Sequence, residues 1–288
     1  MLMARAMGAD ISDRLTALTD DQARLLDKLL AEAAAHDGPG HGKAASGPKA
    51  VLIQQGLPST PLFMVHGSGG RVVFLHAIAR HLPTRQPVYG LEAGDGSAAV
   101  GDICDSYLEA LKTAQPRGPY RIGGYSAGCL IAFALAARLL AMGDAVDFLL
   151  FIDPVAVPDA RVEADLPLSP HEQLRKRFEI AALAGVTPLS PAFAQVEAVN
   201  GQLSMAVRQF QARRLDLRIH LLRATLGDYV CTPETSARWA ALAGRGLESA
   251  VVEADHFDII RDPHAEATAR QIQAWLDGLP GQGADAAG

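Results

Sequence analysis

Ser126 stands in the pentapeptide Gly124-Tyr125-Ser126-Ala127-Gly128, between the apolar run Tyr120-Arg121-Ile122-Gly123 and a helix-like run from Cys129 to Met142. A serine on a sharp strand-to-helix turn projects its hydroxyl above a sheet. Such a turn tolerates no bulk two residues to either side, a demand that Gly124 and Gly128 meet. The chemistry implied is nucleophilic attack on an acyl carbon. A serine hydroxyl is a weak nucleophile at neutral pH, so it needs a histidine within hydrogen-bond reach and a carboxylate to orient that histidine. Because the base must be neutral, such activity falls on acidification through a histidine's titration range.

Chain order directs the search, since after a nucleophile on this kind of turn the acid follows a later strand and the histidine follows the last one. His256 comes after the apolar run Ala250–Val252 and before a helix read as starting at Pro263 with Asp262 as its cap. His220, within a strand, and His264, in the first turn of a helix, are poorly placed for a base. Two aspartates compete for the acid. Asp153 ends the buried run Phe148–Ile152 and precedes Pro154, whereas Asp228 ends the following strand. Position alone does not separate them.

Charge on a tetrahedral intermediate needs donors already in place, and backbone amides supply them. Ala127, opening the helix behind the serine, offers one. The Ser68 amide offers the second, from His66-Gly67-Ser68-Gly69-Gly70, where a strand over Leu62–Val65 turns into a helix. Read as a phosphate cradle that loop fails, because Val72 breaks G-x-G-x-x-G and no G-K-S/T follows. His66 reads as a hydrogen-bonding residue of the loop.

These residues need a scaffold, and the chain supplies one. Short apolar runs at Val51–Ile53, Leu62–Val65, Val88–Leu91, Tyr120–Gly123, Phe148–Ile152, Leu217–Leu222 and Ala250–Val252 alternate with helix-like stretches. Alternation of that kind predicts an α/β fold with a mostly parallel sheet and helices on both faces. The rhythm breaks over residues 157–216, where prolines separate helix-like pieces such as Glu172–Leu183 and Gln202–Gln211; an inserted helical lid is expected. Its Ala, Val, Leu and Phe suggest an apolar channel, and Arg208, Arg213 and Arg214 read as a solvated face, with a docking patch as the alternative. Upstream, leucines at helical spacing from Leu15 to Leu30, with Thr19 or Asp20 as cap, predict a helical appendage over 1–35. A Gly/Pro/Ala/Ser/His stretch at 36–50 has the composition of a flexible linker. The main domain is then 51–280, and the tail 281–288 is expected to be disordered.

At 288 residues and 49% apolar, the chain can bury one large core. A net charge of -6 argues against nucleic acid as a partner. Three cysteines without metal-type spacing predict neither a zinc site nor a disulfide framework, and no apolar stretch is long enough for a signal peptide or a membrane span. A cytoplasmic protein with no membrane partner and no bound metal is expected.

The residues also resemble a known family, the thioesterase domains that end polyketide and nonribosomal peptide assembly lines. The resemblance lies in Pro61-Leu62-Phe63-Met64-Val65-His66-Gly67-Ser68-Gly69-Gly70, in Val88-Tyr89-Gly90-Leu91-Glu92-Ala93, in Pro116–Gly128 and in Asp255-His256-Phe257. It implies an α/β-hydrolase fold with a lid, and an enzyme that releases an acyl or peptidyl chain from a carrier protein by hydrolysis or cyclisation. The partner implied is an acyl or peptidyl carrier protein, which the alternative docking patch would receive. The phosphopantetheine arrives on that carrier, so no cofactor of the enzyme's own is implied. Leu150-Phe151-Ile152-Asp153-Pro154 is similar to the acid motif of assembly-line domains. Gly227-Asp228 with Pro233, Glu234 and Trp239 is similar to that of free-standing editing (type II) thioesterases. Because the editing enzymes lack an aspartate at the first place, the resemblance points to Asp153, with Asp228 as the alternative. Cys129 replaces a glycine often found there. The helices near Ser12–Leu30 resemble segments at synthetase module boundaries, and equally fit a helix packed on its own domain. Two other functions compete with the assembly-line reading: hydrolysis of a diffusible ester or acyl-coenzyme A, and a non-catalytic acyl-binding role against which the Ser126, Asp153 and His256 set speaks.

Overall fold

The computed structural model describes residues 15, 17–36, 49–57, 59–94, 100–157, 169–227 and 231–279. Alternating apolar residues build a sheet buried on both faces. In β2 (Leu62–Val65), Leu62 and Met64 point into one hydrophobic cluster while Phe63 and Val65 point into another. In β5 (Val146–Ile152), Leu149 and Phe151 share the cluster of Phe63, and Phe148, Leu150 and Ile152 share that of Leu62. The remaining strands are β1 (Lys49–Gln54), β3 (Val88–Glu92), β4 (Tyr120–Tyr125), β6 (Ile219–Ala224) and β7 (Leu247–Val252). All seven lie in one sheet of order β1-β3-β2-β4-β5-β6-β7. Among the described strands only β1 is antiparallel, pairing with β3 at the edge.

Helices cover both faces, as continuous apolar strands require. On one side lie α2 (Leu75–Ala79) and α8 (His264–Asp277), with Leu75, Ile78, Ala269 and Ile272 in contact with the sheet. On the other lie α3 (Val100–Ala114), α4 (Gly128–Ala141) and α7 (Pro233–Leu242), contributing Tyr107, Leu111, Leu130, Phe133 and Trp239. Each such buried Leu or Phe contributes about 1.5–3 kcal/mol of apolar transfer free energy. Cys104, Cys129 and Cys231 are buried and free of disulfides. Among the described residues no helix is long and apolar enough to cross a membrane.

Among the described residues of the insertion between β5 and β6 are two helices, α5 (Pro170–Leu183) and α6 (Pro191–Gln209). Each begins on a proline, where the missing N–H costs nothing because the first helical amides have no partner in the helix. The second of these covers the piece expected over Gln202–Gln211 but starts eleven residues before Gln202, at Pro191, one of the prolines that the sequence pattern reads as separators. Upstream, α1 (Asp20–His36) starts from a reciprocal cap in which Thr19 N–H donates to Gln22 Oε1 and Gln22 N–H to Thr19 Oγ1. It packs on the insertion: Leu15, Ala23 and Leu30 share a buried cluster with Leu174 of α5. Arg177 joins the three helices, 3.0 Å from Asp27 of α1 and 2.7 Å from Glu197 of α6, with its guanidinium over Phe193. The linker expected over 36–50 falls mostly outside the described residues, and Lys49 and Ala50 already belong to β1. The tail 281–288 lies wholly outside them.

Candidate active site

Ser126 joins β4 to α4 with φ of 55°, in the left-handed region that costs a side-chain-bearing residue roughly 1–2 kcal/mol. Its N–H donates to Ile152 O of β5 (3.0 Å) and its carbonyl accepts from Cys129 N–H of α4 (3.1 Å), so a neighbouring strand and the following helix hold the strained residue. The glycines behave as the steric argument requires. A Cβ on Gly128 would lie 2.0 Å from His66 O, and one on Gly124 would lie 2.4 Å from Gly128 O. Cys129 has a local use as well, its thiol donating to Gly124 O at 3.2 Å. Burial raises that thiol's pKa well above the ordinary range, so it packs behind the turn as an inert thiol.

His256 lies between β7 and a 3-10 turn over Asp258–Ile260, in a loop shaped by Asp255, whose Oδ1 accepts from Phe257 N–H (2.8 Å) and Asp258 N–H (2.7 Å). Its Nε2 is 3.0 Å from Ser126 Oγ, and its Nδ1 is 2.6 Å from Asp153 Oδ2. A carboxylate oxygen only accepts, so Nδ1 carries the proton and Nε2 is left to accept the serine O–H. Tyr125 supports the ring from below, stacked at 5.0 Å and 24°, while its hydroxyl donates to His256 O at 2.8 Å. Asp153, Ser126 and His256 are all buried.

Asp153 is held as firmly as the serine. Its other oxygen, Oδ1, accepts from Ala224 N–H (3.0 Å) and Cys231 N–H (3.2 Å). Its own N–H donates to Leu222 O (2.7 Å), and its φ is 42°. The structure thus brings Ser126, His256 and Asp153 into one hydrogen-bonded line. The alternative acid Asp228 lies outside the described residues. Asp262, expected to cap α8, does otherwise: it pairs with Arg80 (3.1 Å) and His81 (2.8 Å) at the end of α2, and α8 has no side-chain cap.

Ala127 is the residue at the N-terminus of α4, and Ser68 lies in the loop after β2. Among the described residues neither amide donates within the chain. The helix expected to follow that loop directly begins only at Leu75. In its place hydrogen bonds fix the loop: Gly70 N–H donates to Gly67 O (3.1 Å), Ala93 N–H to Gly70 O (2.9 Å) and Val72 N–H to Glu92 Oε1 (3.3 Å). The insertion lies directly over it. A Cβ on Gly69 would touch Ile180 O and Ala184 Cβ of the α5 end, both at 3.5 Å, and one on Gly70 would lie 2.7 Å from Val199 of α6. The residues of α5 and α6 therefore roof the loop, as a lid must. Arg208, Arg213 and Arg214 are exposed.

Sequence reasoning missed Glu179 of this roof, which no motif marks. Its Oε2 is buried with no hydrogen-bond partner among the described residues, and Arg175 Nε is 3.9 Å from Oε1. Burial pushes its carboxyl up to about 7, against the pull of Arg175 and with a further push from Asp255. A carboxyl whose native pKa exceeds its unfolded one binds extra protons when folded, so its penalty is full above about pH 7 and vanishes below the ordinary Glu range. Glu179→Gln is accordingly expected to raise Tm by a few degrees at pH 8 and to change it little at pH 5. Thermal denaturation of both proteins at the two pH values checks this; equal shifts at both would refute it.

A family model described as "Thioesterase domain" matches residues 60–276. Among curated proteins, the chain is 41% identical over 112 residues to "Inactive atromentin synthetase invA3" of Paxillus involutus, covering 37% of this chain and 12% of that protein. It is 39% identical over 106 residues to "Nonribosomal peptide synthetase atqA" of Aspergillus terreus, covering 34% and 11%. The chain thus spans about an eighth of the length of these relatives. Among solved structures it is similar to the NocB thioesterase domain in covalent complex with a fluorophosphonate nocardicin G analogue. That likeness has a TM-score of 0.63 and 26% identity over 76% of this chain and 96% of that one.

Proposed function

The chain belongs to the thioesterase domain family, and from that premise we propose that it releases an acyl or peptidyl chain from a carrier-protein phosphopantetheine thioester through an acyl-Ser126 intermediate. The observation that carries the reading is the buried line from Ser126 Oγ through His256 to Asp153, with contacts of 3.0 and 2.6 Å.

Ser126 Oγ attacks the thioester carbonyl while His256 Nε2 takes its proton, and Asp153 stabilises the imidazolium that forms. The amides of Ala127 and Ser68 donate to the oxyanion, where charge develops only in the transition state. The C–S bond then breaks, and His256 returns the proton to the departing pantetheine sulfur. Deacylation repeats the cycle with water or with a hydroxyl or amine of the chain itself. The attacking group loses its proton to His256, the ester bond to Ser126 breaks, and the serine recovers its hydrogen. Water gives a free acid and an internal nucleophile gives a ring. Asp153 serves as the acid in this reading because its Oδ2 lies 2.6 Å from His256 Nδ1. The phosphopantetheine belongs to the substrate, and the partner is an acyl or peptidyl carrier.

Intact mass spectrometry tests the proposal. Incubation with acyl-loaded carrier proteins is expected to give an acyl adduct on the enzyme, free holo-carrier and a released product whose mass distinguishes acid from ring. Carrier thioesters left intact by an enzyme that turns over small esters or acyl-coenzyme A would overturn it.

A further inference from the structure

Gly67 O and Ser68 N–H belong to one planar trans peptide, so whatever holds that carbonyl aims the amide in the opposite direction. His66 holds it. Its Nδ1 lies 2.5 Å from Gly67 O, and because a carbonyl only accepts, Nδ1 carries the proton. The bare Nε2 then accepts the O–H of Tyr107 from α3, also at 2.5 Å. The two rings meet edge to face, 5.8 Å apart at 79°, and both residues are buried. Burial lowers the His66 pKa to about 4, so the ring stays neutral and this single tautomer persists at neutral pH.

We propose that His66 and Tyr107 are positioning residues of the oxyanion hole, a relay from the α3 hydroxyl through the imidazole to the Gly67 carbonyl that aims the Ser68 amide at the reacting carbon. The proposal rests on the reading of Ser68 N–H as an oxyanion donor. The tautomer is the working part. Tyr107 needs an acceptor at Nε2, which obliges Nδ1 to be the donor. Without the hydroxyl, Nε2 is a buried acceptor with no partner, a state costing about 1–3 kcal/mol that the ring escapes by tautomerising or turning. Either escape releases Gly67 O to its one remaining bond from Gly70 N–H. The peptide plane is then free to swing.

Kinetics of Tyr107→Phe, His66→Leu and His66→Asn test this. Asparagine places an amide N–H where the imidazole Nδ1 stands, so it keeps the donor to Gly67 O without needing Tyr107. Removing an oxyanion donor outright costs roughly 100- to 1,000-fold in kcat. Misaiming one is expected to lower kcat by roughly 10-fold or more in Tyr107→Phe and His66→Leu, with KM within about twofold and Tm showing folded proteins. His66→Asn should recover most of the loss. The Tyr107→Phe/His66→Leu double variant should lose no more than His66→Leu, because both act through one bond. Folded variants with kcat within about twofold of wild type, equal losses in the Leu and Asn variants, or losses in KM with kcat spared would each overturn the proposal. Failure here with Ser126→Ala still lacking the acyl adduct leaves the proposed function standing; an acyl adduct formed by Ser126→Ala would remove the function itself.

Discussion

Replacing Ser126 by alanine is expected to lower kcat on carrier thioesters by roughly 10,000-fold or more and to abolish the covalent acyl adduct. The substitution removes one oxygen and no scaffold. Alanine meets the same left-handed strain at φ of 55° that serine meets, and the backbone bonds to Ile152 O and from Cys129 N–H do not involve the side chain. The fold should therefore persist with Tm nearly unchanged, which separates a chemical loss from a structural one. Ser68 cannot substitute, because its position in the loop roofed by α5 and α6 brings it no described base, whereas Ser126 Oγ lies 3.0 Å from His256 Nε2. A fluorophosphonate is the matching probe, a reagent of the class found in covalent complex with the similar NocB domain. Peptide mapping after labelling should place the adduct on Ser126 in wild type and find none in the alanine variant. Acyl transfer that survives in the variant would sink the nucleophile assignment. Residual turnover well above the uncatalysed rate is still expected, since the oxyanion amides and substrate binding remain.

What the sequence discloses is what local chemistry dictates. The inner strands are legible because a run buried on both faces must be continuously apolar, and β2 and β5 are such runs. The serine turn is legible because sterics demand glycine at 124 and 128, and His256 because chain order and a following helix start bracket it. Tertiary facts are less so. Asp262 reads as a cap by position, yet Arg80 and His81 at the end of α2 claim its carboxylate. Pro191 reads as a separator, yet it opens a helix whose later residues carry the signal. The packing of α1 on α5 depends on Leu174 and Arg177, about 150 residues downstream of the helix they meet. Glu179 and Tyr107 carry no motif at all, because their significance lies in what burial and a distant loop place beside them. Asp153 was legible in position and illegible in conformation: nothing in Ile152-Asp153-Pro154 announces a φ of 42°.

That conformation makes the choice of replacement at Asp153 informative. Two backbone amides, Ala224 N–H and Cys231 N–H, point at Oδ1, and the His256 ring points at Oδ2. Asparagine is nearly isosteric and keeps the fold, but its single oxygen must face the two amide donors, since turning its NH2 toward them would set donor against donor. The NH2 then faces His256 Nδ1. A nitrogen facing a donor must accept, so the imidazole is driven to the tautomer with its proton on Nε2, and Nε2–H meets the Ser126 hydroxyl as a donor. The base becomes unable to take the serine proton without an unfavourable tautomer change first. Asp153→Asn is therefore expected to lose roughly 10,000-fold in kcat with KM and Tm nearly preserved. Asp153→Ala should behave differently. It leaves two buried N–H groups without acceptors, each costing about 1–3 kcal/mol, so it should unfold at a lower temperature as well as lose activity. Comparing kcat, KM and Tm of the two variants separates the orienting role from the structural one. An Asn variant retaining more than about a tenth of wild-type kcat would show that another carboxylate orients His256, and a parallel Asp228→Ala variant would then be expected to carry the loss.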